Sequence, residues 1–193
     1  FLQDKKDFAR QSLLNLTSYC IECHTRTASG PVFQSPDLSN ALLRLPPFER
    51  GEYLLSVRQF DAALSEFMGL LQNAQTEKYN FYEFDRVLRN ALAITVKFQR
   101  DPVKTEKVIE LVSKSEQLPY FIRQASSNWW ESLKAWKKER PQKNPTMAQR
   151  IQKAEGLVQR GRTAQQGQSD RSGDIDLLRG LSELHQILWN KLS

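Results

Sequence analysis

An all-α fold is predicted by three observations. No segment of the 193-residue chain alternates apolar and polar residues with the period of two that a strand requires. Apolar residues recur instead three and four positions apart in segment after segment, the spacing of a helix with one face turned inward. Proline, glycine and capping residues punctuate the chain at helix-length intervals. Four units are expected: a helix and loop over residues 1–45, antiparallel helix pairs over 46–138, a polar linker over 139–145, and a C-terminal helical hairpin over 146–193 packed on the rest. With 39% hydrophobic and 26% charged residues the composition is that of a globular protein. No apolar run approaches the roughly 20 residues needed to cross a bilayer. A chain that opens on Phe1 is expected to be a processed or trimmed form.

The first helix is expected from Asp4 to Tyr19, with Phe8, Ser12 and Leu16 along one stripe and Leu13, Leu14 and Tyr19 widening the apolar face. It leads into Cys20-Ile21-Glu22-Cys23-His24, which holds both cysteines of the chain. After His24 a Gly/Pro-punctuated loop runs through Gly30-Pro31 to Pro36, with Val32 and Phe33 able to cover an apolar surface. Pro46-Pro47 marks a break.

Beyond the break, Gly51, Phe60, Ala63 and Phe67 are spaced as a small residue where two helices touch, an aromatic at the turn, then alanine and an aromatic in the second helix. Arg58-Gln59 supplies the turn. The stretch from Gly51 to Phe67 resembles one tetratricopeptide unit, and the helix-turn-helix rhythm continues without the motif. Phe84, Leu88, Leu92 and Val96 lie on one stripe of a helix from Phe81 to Gln99. Asp101-Pro102 reads as the N-cap and first position of the next helix, which carries Val108, Leu111 and Val112. Pro119 opens another, with Ile122, Ala125, Trp129, Leu133 and Trp136 at helical spacing. Thr146 caps a helix bearing Ile151, Ala154, Leu157 and Val158. Asp174 caps the last, through Leu177, Leu178, Leu181, Leu184, Leu188 and Trp189.

The spacing Cys-x-x-Cys-His carries the chemistry. Two thiols separated by two residues can add to the two vinyl groups on a porphyrin edge, and the histidine that follows can present its imidazole to the iron. The chain here resembles the c-type cytochromes. That resemblance implies one covalent haem c, held by Cys20 and Cys23, with His24 as the proximal iron ligand. In many cytochromes c a Gly-Pro after the motif offers its proline carbonyl to the proximal imidazole, and Gly30-Pro31 resembles it at a shorter spacing. Arg26 and Arg44 are candidates to pair with haem propionates. Candidate sixth ligands are His185, Met147 and Met68, with core packing the competing role for Met68 and a hydrogen-bonded core position for His185; an open or solvent-filled site, or a lysine or partner-supplied ligand, is the alternative. The familiar plan stops there, because no segment supplies a distal methionine loop and closing helix after the motif. A thiol or disulfide pair remains open for the cysteines, although no βαβ pattern surrounds them as in thioredoxin-like proteins. Zinc would need four ligands, from a chain offering two cysteines and two histidines.

The net charge of +6 is localised: from Lys137 to Arg171 nine basic residues stand against three acidic ones, and the rest of the chain balances. Such a stretch suits an acidic partner or an anionic membrane surface, or simply a solvated helix face. No aromatic interleaving or nucleic-acid motif accompanies it, so nucleic acid is not expected as a partner. The functions in play are three. An electron carrier would pass electrons to a redox partner protein or complex docked on the helical surface. A haem-based sensor or scaffold would use the helix pairs to recruit a partner. A haem-free helical-repeat interaction module would join Cys20 to Cys23 in a disulfide. The resemblance to c-type cytochromes implies a periplasmic location, soluble or membrane-associated. An enzyme is not expected, since no nucleophile motif, phosphate loop or suggestive carboxylate pair is present.

Overall fold

The computed structural model describes residues 5–24, 40–73, 80–116, 118–140, 142–167 and 171–192, and these are helical with no strand among them. In order they form α1 (Lys6–His24), the single turn α2 (Asn40–Leu43), α3 (Pro47–Ser56), α4 (Phe60–Asn73), α5 (Phe81–Leu92), a π-helical stretch (Ala93–Phe98), α6 (Pro102–Ser113), α7 (Tyr120–Lys138), α8 (Met147–Gly167) and α9 (Asp174–Leu192). No described helix is long and apolar enough to cross a membrane.

Local chemistry sets most boundaries. Pro47 starts α3, where a missing N–H costs nothing. The turn after α3 needs one left-handed residue, and Arg58 takes it with φ of 66°. Asp101 caps α6 by accepting from the backbone N–H groups of Val103 (2.8 Å) and Lys104 (3.0 Å), with Pro102 just inside. Thr146 and Gln149 close α8 reciprocally. The Thr146 hydroxyl accepts from the Gln149 N–H at 3.3 Å, and the Gln149 side-chain oxygen accepts from the Thr146 N–H at 2.8 Å.

One core joins the pairs. Leu55, Phe67, Leu71, Leu88, Ile109, Ile122, Trp129 and Leu133 are fully buried in it, and Ile175 of α9 reaches the same cluster. Trp129 buries its ring and satisfies its indole N–H on the Arg171 carbonyl at 2.7 Å, tying α7 to the approach of α9. The α3–α4 pair closes through Gly51 and Phe67, and the α8–α9 hairpin through Gly161 and Gly173. A Cβ on Gly173 would come within 2.0 Å of the Gly161 carbonyl oxygen, so only glycine lets these backbones meet.

The helix expected over Phe81–Gln99 is present but widens after Leu92. Gln99 N–H reaches back five residues to the Ile94 carbonyl at 2.8 Å. In this stretch the Lys97 carbonyl accepts from Ser182 of α9 at 2.5 Å. The hairpin is therefore keyed onto a polar step in the core helix.

The face of α9 turned inward mixes apolar and polar residues, with Leu178 packed against the core. Leu181 and Leu188 are exposed, whereas Ile175, Asp176, Arg179, Ser182 and Ile187 are buried. The buried polar residues have polar partners. Asp176 accepts from Ser132 (2.9 Å), and Arg179 lies over the Trp136 ring (4.7 Å) while pairing with Glu139 (2.6 Å).

Candidate functional site

Helix α1 runs through the whole Cys20–His24 motif, five residues beyond the expected end at Tyr19, because nothing in that stretch breaks a helix. Residues three and four apart on a helix share a face, so Cys20, Cys23 and His24 stand together on one flank. Both cysteines are free and exposed. Leu16 lies one turn before Cys20, Tyr19 one turn before Cys23, and Leu13 one turn before Leu16. These three apolar side chains are 60%, 70% and 59% exposed, so the thiol flank is an apolar surface left open to solvent. The apolar face expected over Phe8–Tyr19 is thus largely outside: Phe8 is exposed too, and among the described residues of α1 it is Ile21 and half-buried Leu14 that pack on the core.

A polar clamp holds α1 in place instead. Glu52 of α3, 1% exposed, receives both Arg86 nitrogens, Nε on Oε1 and Nη2 on Oε2 at 2.6 Å. Asn90 donates to the same carboxylate at 3.2 Å and Thr17 of α1 at 3.3 Å. Arg86 Nη2 also donates to the Leu14 carbonyl at 2.7 Å, so one guanidinium grips α3 and α1 together. Burial raises the Glu52 carboxyl above its ordinary range, although Arg86, Thr17 and Asn90 all pull the other way.

His24 is fixed from the α3–α4 corner. Its Nδ1 lies against the Ser56 carbonyl, which can only accept, so Nδ1 is the donor in this contact. Arg58 donates to the His24 backbone carbonyl at 2.8 Å. The Arg58 guanidinium stacks near the Phe60 and Phe98 rings, 5.4 and 5.5 Å from their centroids. Carbonyl and ring of the same residue are thereby held by residues two apart.

Of the other sequence candidates, Arg26 and Pro31 lie outside the described residues. Arg44 is exposed after α2. Met68 packs part-buried against the core, Met147 opens α8 in an exposed position, and His185 is half-buried on α9. These three stand on three different helices. Among the described residues no group of three or more His, Cys, Asp or Glu side chains gathers to hold a metal ion. A cavity of about 760 Å³ does open beside α1, bordered by Asn15, Ser18 and Ile21 and by Arg86, Arg89 and Leu177. It lies on the opposite side of the helix from the thiols, and neither cysteine nor His24 lines it.

Sequence reasoning missed Glu52, Arg86, Ser56 and the tie from Arg58 to His24. A glutamate inside a helix carries no mark of burial, and a backbone carbonyl carries no mark at all. No protein-family model matches the chain, and no curated protein or solved structure matches it.

Proposed function

We propose that this chain is a single-haem c-type cytochrome-like protein, with haem attached at Cys20 and Cys23, His24 as proximal ligand, and electron transfer to a docked protein partner as its role. The observation that carries this reading is the flank of α1, where both free thiols and His24 share an exposed apolar surface with Leu13, Leu16 and Tyr19. Bound there, haem supplies a one-electron couple at its iron.

The chain's own residues prepare for it. Thiols three apart on a helix present both sulfurs to one side, as attachment to neighbouring vinyl groups requires. A Nδ1–H held on the Ser56 carbonyl is the kind of hydrogen bond that orients an imidazole binding a metal through its other nitrogen. Leu13, Leu16 and Tyr19 offer an apolar bed that water would otherwise face. Because this flank is on the outside of the molecule, electron exchange with a partner needs no opening of the fold.

The test is the visible spectrum of protein made in a host competent for haem attachment, before and after denaturation and washing. Colour that stays with the denatured chain and disappears in a Cys20→Ser/Cys23→Ser variant is the expected result. A wild-type chain that remains colourless, or loses all its colour on denaturation, overturns the proposal.

A further inference from the structure

A second cavity of about 760 Å³ lies between the 139–145 linker, α8 and α9, at the far end of the chain from the cysteines in sequence. Its wall carries Arg100, Arg140, Arg150, Lys153 and Arg160 against Glu139 and Glu183, five cations facing two carboxylates. The pairing within it is lopsided. Glu183 alone is approached by Arg150 at 3.5 Å, Arg100 at 3.6 Å and Lys153 at 4.0 Å, all longer than a good charged hydrogen bond. Glu139 is drawn to Arg179 at 2.6 Å, outside the cavity wall, which leaves Lys153 a looser 3.3 Å contact.

Arg100 carries a buried nitrogen left without an acceptor. Its backbone is left-handed, with φ of 54°. Its Nε donates to Ser182 at 2.9 Å, but its Nη2 is buried with no hydrogen-bond partner. A buried guanidinium nitrogen without an acceptor is costly, and a wall with surplus positive charge repels itself. An anion with several oxygens relieves both. The guanidinium forks and the amides of Gln149 and Gln186 suit oxyanion geometry. The volume falls within the range of small-molecule sites, and the concave wall matches a compact ligand better than a flat surface.

We propose that this cleft binds a small multivalent phosphate-bearing anion, through Arg100, Arg150 and Lys153. The proposal is independent of the haem reading.

The test is titration of the 193-residue chain with pyrophosphate, followed by calorimetry at ionic strength held constant with sodium chloride. A companion assay uses phosphatidylglycerol vesicles with pyrophosphate as competitor. The variant is Arg140→Gln/Lys153→Gln, both exposed positions, compared with Lys134→Gln/Lys138→Gln, which removes equal charge from α7 outside the cleft. Saturable pyrophosphate binding, weakened at least tenfold by the cleft pair and not by the α7 pair, is expected. Vesicle binding displaced by pyrophosphate identifies a lipid headgroup as a source of the same ligand. Absence of saturation, equal loss in both variants, or vesicle binding that pyrophosphate leaves untouched overturns the proposal.

Discussion

The ring of Phe67 occupies the space that a side chain on Gly51 would take: a Cβ there would come within 2.6 Å of the ring's Cε1. Both residues are buried, so the ring has nowhere to retreat. Gly51→Ala gains about 1 kcal/mol of helix propensity but forces an overpacked core that costs about 1–3 kcal/mol. A net loss of stability is expected in denaturant unfolding. Gly69, on the following helix, has nothing within 4 Å of the same construction, so Gly69→Ala is expected to stabilise by about 0.5–1 kcal/mol. The same substitution with the same sign at both glycines would refute this packing.

Glu52 sets a second expectation. Removing the carboxylate with Glu52→Ala strands the Arg86 guanidinium and is expected to cost about 3–5 kcal/mol. Glu52→Gln keeps one acceptor and costs less, with a distinctive pH course. Because burial raises the folded pKa of Glu52, the folded state binds its proton more tightly than the unfolded chain does. That contribution is complete below the ordinary carboxylate range and is lost as pH rises through the raised value. The penalty of Glu52→Gln should therefore shrink between acid and neutral pH. Urea midpoints of both proteins across that range decide it, and a penalty that grows with pH refutes the reading.

Glu139 has the opposite sign. Burial works to raise its carboxyl, but the hydrogen bond and charge of Arg179, with Lys153 nearby, overcome that and hold it below its ordinary range. Its contribution is present above the ordinary pKa and is lost as pH falls through the depressed one. Acidification should cost the wild type more than Glu139→Gln, measured as the fall in unfolding midpoint from neutral to acid.

Arg58 combines a left-handed backbone with a charged hydrogen bond to His24. Arg58→Ala loses the bond and keeps the strain, at about 1.5–3 kcal/mol. Arg58→Gly loses the bond but relieves the backbone, so it should be the more stable of the two by about 1 kcal/mol. Thermal unfolding ranks them, and the reverse order would show that the left-handed turn is not held in this fold.

Features written in neighbouring residues were legible in the sequence. The Asp101-Pro102 start of α6, the Thr146 cap, the glycine at the α3–α4 contact and the Trp129 stripe of α7 are each specified within a few positions. What depends on distant partners was not. The polar residues on the inward face of α9 answer Ser132, Trp136, Glu139 and Lys97, which a count of leucines does not reveal. Helix α1 docks by a buried carboxylate and guanidinium together with Ile21 and Leu14, while Leu13 and Leu16 stay outside, which a stripe of apolar residues does not foretell. The Cys20-x-x-Cys23-His24 spacing stands in the sequence itself, but its place inside α1 and the Ser56 carbonyl beside its imidazole do not.

The last residue of α1 and the corner between α3 and α4 amount to a single mechanical joint. Ser56 takes the His24 ring, Arg58 takes the His24 carbonyl, and the Arg58 guanidinium leans on Phe60 and Phe98, the first residue of α4 and the last of the widened core helix. The imidazole thus meets the corner of the first helix pair at Ser56, and the backbone of the same residue meets, through Arg58, the aromatic rings beside the step on which the C-terminal hairpin rests.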